Sequence, residues 1–462
     1  MSDAPGDPSG PLAALPSYQP TAGPRTDAPV ESVWRLLPLL SGEVVGLEPA
    51  SVTAFLRHSL PSTWSLFRGV SRVAPLPPRI RRQSSPRSPE EDDEPRARAL
   101  LAACSDAVGT RVASGALDVS LSGGVDSAVL CTLAARHAPG RVRAWSMDVH
   151  FADAVERHNA RTVARLAGVE QVDVPIPDAL LPDLFEPAVI ANEGAILNAR
   201  AVASFAFYAE AKRLGASVML SGAGADEVLR GNPLALASAL ARIEEDRRLA
   251  RTVLRAAVDN LGRSPDEARG EPWSQEDRPE LSDEARGGPW SPEDMEVSEE
   301  VRYAEWVLRE LVLPPELRGA RAHGLTVHTP YLDSRFADVA LSLPESSLVR
   351  EGVGKWLFRH AVRGLVPDEV RLARKTPRYG HTALSSPVRT RWLELYRAWL
   401  SASRLEPLAV IDPKAVLTLL ERYTRMEPEA PEADGVDRLL MRLCSLAMLH
   451  AHAAHGSPCP ES

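Results

Sequence analysis

The segment Leu121-Ser122-Gly123-Gly124-Val125-Asp126-Ser127 restricts the fold more than any other part of the chain. It follows a short alternating run, Leu117 to Leu121, with strand character, and precedes Ala128 to His137, with helix character. A strand, a Gly-rich turn and a helix start make an anion site. Free backbone N–H groups and the positive helix end converge on one spot. The two glycines let the backbone approach a phosphate with no Cβ in the way. Ser122 and Ser127 add hydroxyl donors. Asp126 would repel a bare phosphate, so its presence calls for Mg²⁺ between carboxylate and pyrophosphate. A lone Gly-Gly would mean only a tight turn before a helix; the whole string in this setting reads as a phosphate site. No Gly-Lys-Ser/Thr follows, so it is not a Walker A loop.

A second turn of the same kind follows another short apolar run, Ala216 to Leu220. It reads Ser221-Gly222-Ala223-Gly224-Ala225-Asp226-Glu227. Two such turns, each with an Asp, place Asp126 and Asp226 to hold Mg²⁺ from both sides of one pyrophosphate. The plainer reading of Asp226 or Glu227 is a cap on the following helix. Between the turns the rhythm is βα: a strand over 141–149, a helix over 152–166 and a strand over 171–176. Ser146 and Met147 end the first of these strands, where backbone groups suit an adenine edge.

The first loop resembles the pyrophosphatase loop of enzymes that split ATP between its α and β phosphates. Both turns in this order are similar to the asparagine synthetase family, and the likeness continues downstream. Pro330-Tyr331-Leu332-Asp333 resembles that family's Pro-Phe-Leu-Asp segment. Lys355-Trp356-Leu357-Phe358-Arg359 resembles its Lys-x-x-Leu-Arg helix, and Leu365-Val366-Pro367-Asp368-Glu369-Val370 its Leu-Pro-x-Glu-Ile run. Arg374-Lys375 falls where its Arg-x-Lys segment ends. The likeness covers about 100–381, apart from a repeat insertion.

The resemblance implies an α/β fold, a parallel sheet with helices on both faces, with a helical C-terminal part and a short degenerate N-terminal region. It implies ATP and Mg²⁺, and adenylation of a small-molecule or peptide carboxylate. Leu121, Ser122, Gly123, Gly124, Asp126, Ser127, Ser146, Met147, Ser221 and Gly222 would bind the nucleotide, and Asp126 and Asp226 the metal. Lys375 would stabilise the oxyanion of the acyl-transfer step. Lys355 would bind pyrophosphate, unless it is an exposed helix residue.

Three departures bear on chemistry. The family opens on a glutaminase domain with a nucleophilic Cys after Met; this chain has Ser2 there, and 47–79 resembles only the tail of that domain. Ammonia would then come from solution or from a separate protein, or the amine would belong to the substrate. Ala223 stands where asparagine synthetases have Glu and β-lactam-forming relatives have Tyr; Ala neither binds an amine nor passes a proton. Ala373 stands where the family often has Arg. These departures leave three functions in play: asparagine formation, macrolactam or β-lactam closure as in lasso peptide cyclases and their kin, and an inactive regulatory homologue.

Composition sets the frame. A net charge of −9 over 462 residues gives no general attraction to nucleic acid. Four cysteines lack metal-site spacing and read as free thiols in a reducing cytoplasm. No apolar run approaches the roughly 18 residues of a membrane span, and no signal peptide is visible. The expected organisation is a disordered 1–30, a remnant domain and linker over 31–95, the synthetase-like domain over 96–455 and a tail over 456–462. A disordered insertion over about 262–298 carries a tandem repeat, DEARGEPWSQED from Asp266 and DEARGGPWSPED from Asp283. Asp333 and Arg335 are expected as a supporting pair, and His450, His452 and His455 as solvated. The sequence carries nothing on oligomeric state.

Overall fold

The computed structural model describes residues 15–21, 29–40, 46–60, 63–73, 93–151, 153–196, 198–229, 233–255, 306–343, 345–350, 353–373 and 382–455. The tandem repeat, Lys375 and the tail lie outside these residues.

Five parallel strands form the central sheet: β3 (Asp118–Ser120), β4 (Arg143–Asp148), β5 (Glu170–Pro175), β6 (Val218–Leu220) and β7 (Thr326–His328), in the order β5-β4-β3-β6-β7. Successive strand residues face opposite sides, so Ala144 and Leu220 pack into one apolar cluster while Trp145 and Met219 pack into another. The first cluster also takes the helices Asp93–Ala113, Val125–His137 and Ala154–Ala167. The second takes Leu181–Asn192, Ala199–Arg213 and the long C-terminal helix Ala433–His455. The chain thus winds β3-β4-β5 with helices on one face, then crosses by the other face to β6. That reversal leaves a crevice at the carboxyl ends of β3 and β6, where ligands of such sheets sit. The α/β arrangement and the helical C-terminal part are as the family resemblance implies.

Asp118 fixes the opposite end of the three central strands. It is buried, and its Oδ1 accepts from Trp145 Nε1 at 2.9 Å and Arg143 Nε at 3.1 Å. Its Oδ2 accepts from the Ser217 amide at 3.1 Å.

The N-terminal region corrects two expectations. Within the segment read as disordered, Ser17–Pro20 forms strand β1, antiparallel to β2 (Val70–Val73). Composition averages over this stretch and misses one anchor: Tyr18 is 1% exposed, and its hydroxyl accepts from Arg318 Nη1 at 2.9 Å. Arg318 also pairs with Glu193 at 2.7 Å, and Arg72 with Glu310 at 2.7 Å. His450 and His452 are the second case. The last helix runs through them; His450 Nδ1 accepts from the Leu47 amide at 3.3 Å, and His452 lies 2.8 Å from Glu186. No helix among the described residues is long and apolar enough to cross a membrane.

Candidate functional site

The first loop leaves β3 at Ser120 and enters its helix at Val125, with Gly124 as N-cap and no side-chain cap. Gly123 adopts φ +88°, and a Cβ there would lie 1.9 Å from the Glu156 carbonyl oxygen. Only glycine fits that position. Ser127 is buried, and its hydroxyl is spent on the loop: it accepts from the Ser122 amide at 3.1 Å and donates to the Gly124 carbonyl at 3.1 Å. Ser127 therefore shapes the turn, whereas Ser122 stays exposed at the crevice. The uncapped first-turn N–H groups have no intrahelical acceptor.

The second loop lies against the first. A Cβ on Gly222 would sit 3.5 Å from Ser127 N and 3.6 Å from Asp126 Cβ. Gly224, at φ +87°, is pressed against Leu332, whose Cδ2 a Cβ would meet at 2.4 Å. The Pro330–Leu332 turn closes on both loops at once. Its Tyr331 is fully buried, and the hydroxyl donates to the Asp126 carbonyl at 2.8 Å. Asp333 does not pair with the Arg335 side chain as expected. It caps Ser334–Leu341 through the Arg335 amide at 3.0 Å, and its Oδ2 accepts from the wholly buried Arg111 at 2.9 Å.

Lys355 lies between the two acids. Its Nζ donates to Asp126 Oδ1 and Oδ2, each at 2.8 Å, and is 2.8 Å from Asp226 Oδ1. All three ammonium directions are used. The side chain is 10% exposed, so the exposed-helix reading of Lys355 is wrong. Burial alone would lower its pKa, but Asp126 and Asp226 outweigh burial and hold it above the ordinary lysine value. Its backbone is left-handed at φ +55°, a conformation that a non-glycine residue adopts at a cost of about 1–3 kcal/mol and that clusters at functional sites.

This donor set fits Mg²⁺. Asp126 and Asp226 both reach the Lys355 ammonium, and a magnesium ion likewise takes one or two carboxylates plus waters and phosphate oxygens. Among the described residues no group of three or more His, Cys, Asp or Glu would form a protein-only cage.

A cavity of about 340 Å³ opens from these loops. Leu121, Ser122, Ser146, Met147, Asn198, Arg200, Tyr208 and Glu316 are among the residues that line it. Ser146 Oγ donates to the Leu121 carbonyl at 2.9 Å, tying the end of β4 to the first loop. Glu316 Oε2 accepts from Tyr208 Oη at 2.5 Å and Ser221 Oγ at 2.7 Å. Ser221 Oγ in turn accepts from the Ala223 amide at 3.2 Å. Glu156 lines the cavity, whereas Glu193 lies in the buried N-terminal network. The sequence reading missed Arg111, Tyr208 and Glu316. Only Tyr331 had a local signal, a hydroxyl added at the resemblance's Phe slot. The thiols of Cys104 and Cys131 are pushed up to about 12 by burial and are inert.

The Asparagine synthase family model matches residues 99–451. The glutamine-hydrolysing asparagine synthetase of Homo sapiens is 41% identical over 73 residues, which are 14% of this chain and 13% of that protein. Its counterpart in Gallus gallus is 38% identical over 78 residues, 16% and 14% of the two chains. The aligned stretch is thus a small part of either relative's length. The family model spans most of the chain, including both loops, the Tyr331 turn and Lys355, and by that match the chain belongs to the asparagine synthase family.

Proposed function

We propose that this chain is an ATP-dependent, amide-forming ligase that activates a carboxylate as an acyl-adenylate, releasing pyrophosphate and then AMP. The observation that carries the reading is the convergence of Asp126, Asp226 and Lys355 at the meeting point of two strand-end turns. A carboxylate is a poor acyl donor because its leaving group would be oxide. AMP replaces it. As the carboxylate oxygen attacks the α-phosphorus, charge builds on the departing pyrophosphate. The N–H groups at the start of Val125–His137 face that charge, and the Lys355 ammonium is compact enough to follow it. Mg²⁺, held by Asp126 and Asp226, would neutralise phosphate charge there. Leu121, Ser122, Ser146, Met147, Ser221 and Gly222 would enclose the nucleotide. Lys375, outside the described residues, is assigned by resemblance to the oxyanion of acyl transfer.

The acceptor is ammonia or an amine of the substrate. Ala223 favours the latter, since position 223 offers an incoming ammonia no acid. The test is ATP titration followed by carboxylate-dependent exchange of labelled pyrophosphate into ATP. Wild type should exchange with its carboxylate, and Asp126→Ala should abolish exchange while keeping its fold. Failure of wild type to bind ATP would refute the ligase reading and leave an inactive homologue.

A further inference from the structure

We propose that Glu316 receives the acceptor amine in this chain, and that the acceptor arrives as an alkylammonium cation. The inference rests on the ligase reading and narrows its second half.

Position 223 carries no acid, yet the Glu316 carboxylate accepts from the Ser221 hydroxyl of the same turn. Glu316 reaches it from the helical turn Pro314–Arg318, held in place by the buried Arg318–Glu193 pair. Two hydroxyls, Tyr208 and Ser221, donate to the same oxygen, Oε2. Among the described residues no hydrogen bond reaches Oε1. A carboxylate has about four lone-pair positions, so this one keeps accepting capacity in a cavity shared with the nucleotide loop. The Tyr208 phenol is held far above its ordinary pKa, first by burial and then by the Glu316 charge. It stays a donor and keeps Glu316 oriented.

The step balances as follows. The ammonium N–H donates to Glu316 Oε1 and passes its proton there. The freed nitrogen lone pair forms the C–N bond at the acyl carbon. The C–O bond to AMP breaks, and AMP leaves with that electron pair. The nitrogen's second proton is lost to water as the amide forms.

Ethylammonium chloride is the probe, and ethanol its neutral counterpart, each titrated calorimetrically into the full chain with ATP and Mg²⁺ present. Wild type should bind ethylammonium saturably and ethanol not at all. Glu316→Gln keeps an oxygen for both hydroxyls and should weaken ethylammonium at least tenfold, with ATP affinity and melting temperature unchanged. Tyr208→Phe should weaken it several-fold. Equal ethylammonium affinity in wild type and Glu316→Gln, or no binding to wild type while ATP binds, overturns the inference and leaves the ligase reading standing. Absence of ATP binding to wild type overturns both.

Discussion

Replacing Lys355 with Met removes the ammonium and nearly preserves chain length, leaving Asp126 and Asp226 facing each other. Breaking a fully buried ion pair by removing one partner costs about 3–5 kcal/mol. Here the Asp126 and Asp226 side chains are 21% and 46% exposed, so solvent takes up much of the freed charge. The expected loss is about 1–2 kcal/mol. For a domain spanning 99–451, at about 2.1 cal/mol/K of unfolding entropy per residue, that lowers the melting temperature by about 1–3 °C in EDTA. Magnesium should then behave differently in the two proteins. In wild type the ammonium already fills the space between the carboxylates, so millimolar Mg²⁺ alone should not move the melt. In Lys355→Met the vacated carboxylates should take the ion, and Mg²⁺ should recover part of the lost stability. Mn²⁺ binding followed by electron paramagnetic resonance gives the same comparison without heating. ATP·Mg²⁺ affinity should fall roughly tenfold or more, the value of one charge-assisted contact to phosphate. An unchanged melt in EDTA together with equal Mn²⁺ binding would show that Lys355 does not hold the two acids.

Other perturbations test the supports of the site. Gly123→Ala places a methyl against the Glu156 carbonyl at φ +88°; ATP binding should be lost and stability should fall by about 1–3 kcal/mol in urea unfolding. Arg111→Met strands Asp333 and should cost about 3–5 kcal/mol, while adding Asp333→Asn should return part of it in a double-mutant cycle. Two buried groups should oppose each other between pH 4.5 and 6. Burial and then Arg442 lower His58 to about 4, so the unfolded chain binds more protons there and stability from His58 rises with pH. Burial raises Asp437 to about 6 against its Tyr423 and Tyr396 hydrogen bonds, so the folded chain binds more protons and stability from Asp437 falls with pH. His58→Gln should therefore lose stability as pH rises through this window, and Asp437→Asn should gain it, by roughly 2 kcal/mol each; parallel pH curves in denaturant unfolding would contradict both shifts.

What the sequence made legible was local. The Leu121–Ser127 string reads as strand, turn and helix because its glycines, acid and flanking apolar runs lie within one short stretch. The same holds for Ser221–Glu227. Contacts between distant segments were not legible. Nothing around Glu316 in Leu-Pro-Pro-Glu-Leu-Arg announces a partner in the helix Ala199–Arg213. Arg111 looks like any helix-end arginine until Asp333 is placed beside it. The N-terminal strand was hidden for a related reason. A Pro- and Gly-rich stretch is held by one buried tyrosine and an arginine some 300 residues away, which a window of composition does not weigh.

Residue 223 and residue 316 are best understood together. Both connect to Ser221: the Ala223 amide donates to its hydroxyl, and that hydroxyl donates to Glu316. An acid at 223 would stand on the turn whose Ser221 hydroxyl already donates to a carboxylate, and like charges on neighbouring groups disfavour one another. A small residue at 223 removes that conflict. It leaves Glu316 as the acid held at Ser221, oriented by two hydroxyls from the helix before β6 and from the turn after it. On this view Ala223 is the companion of Glu316, and the departure that made the turn look catalytically empty is the condition for an acid supplied from another segment.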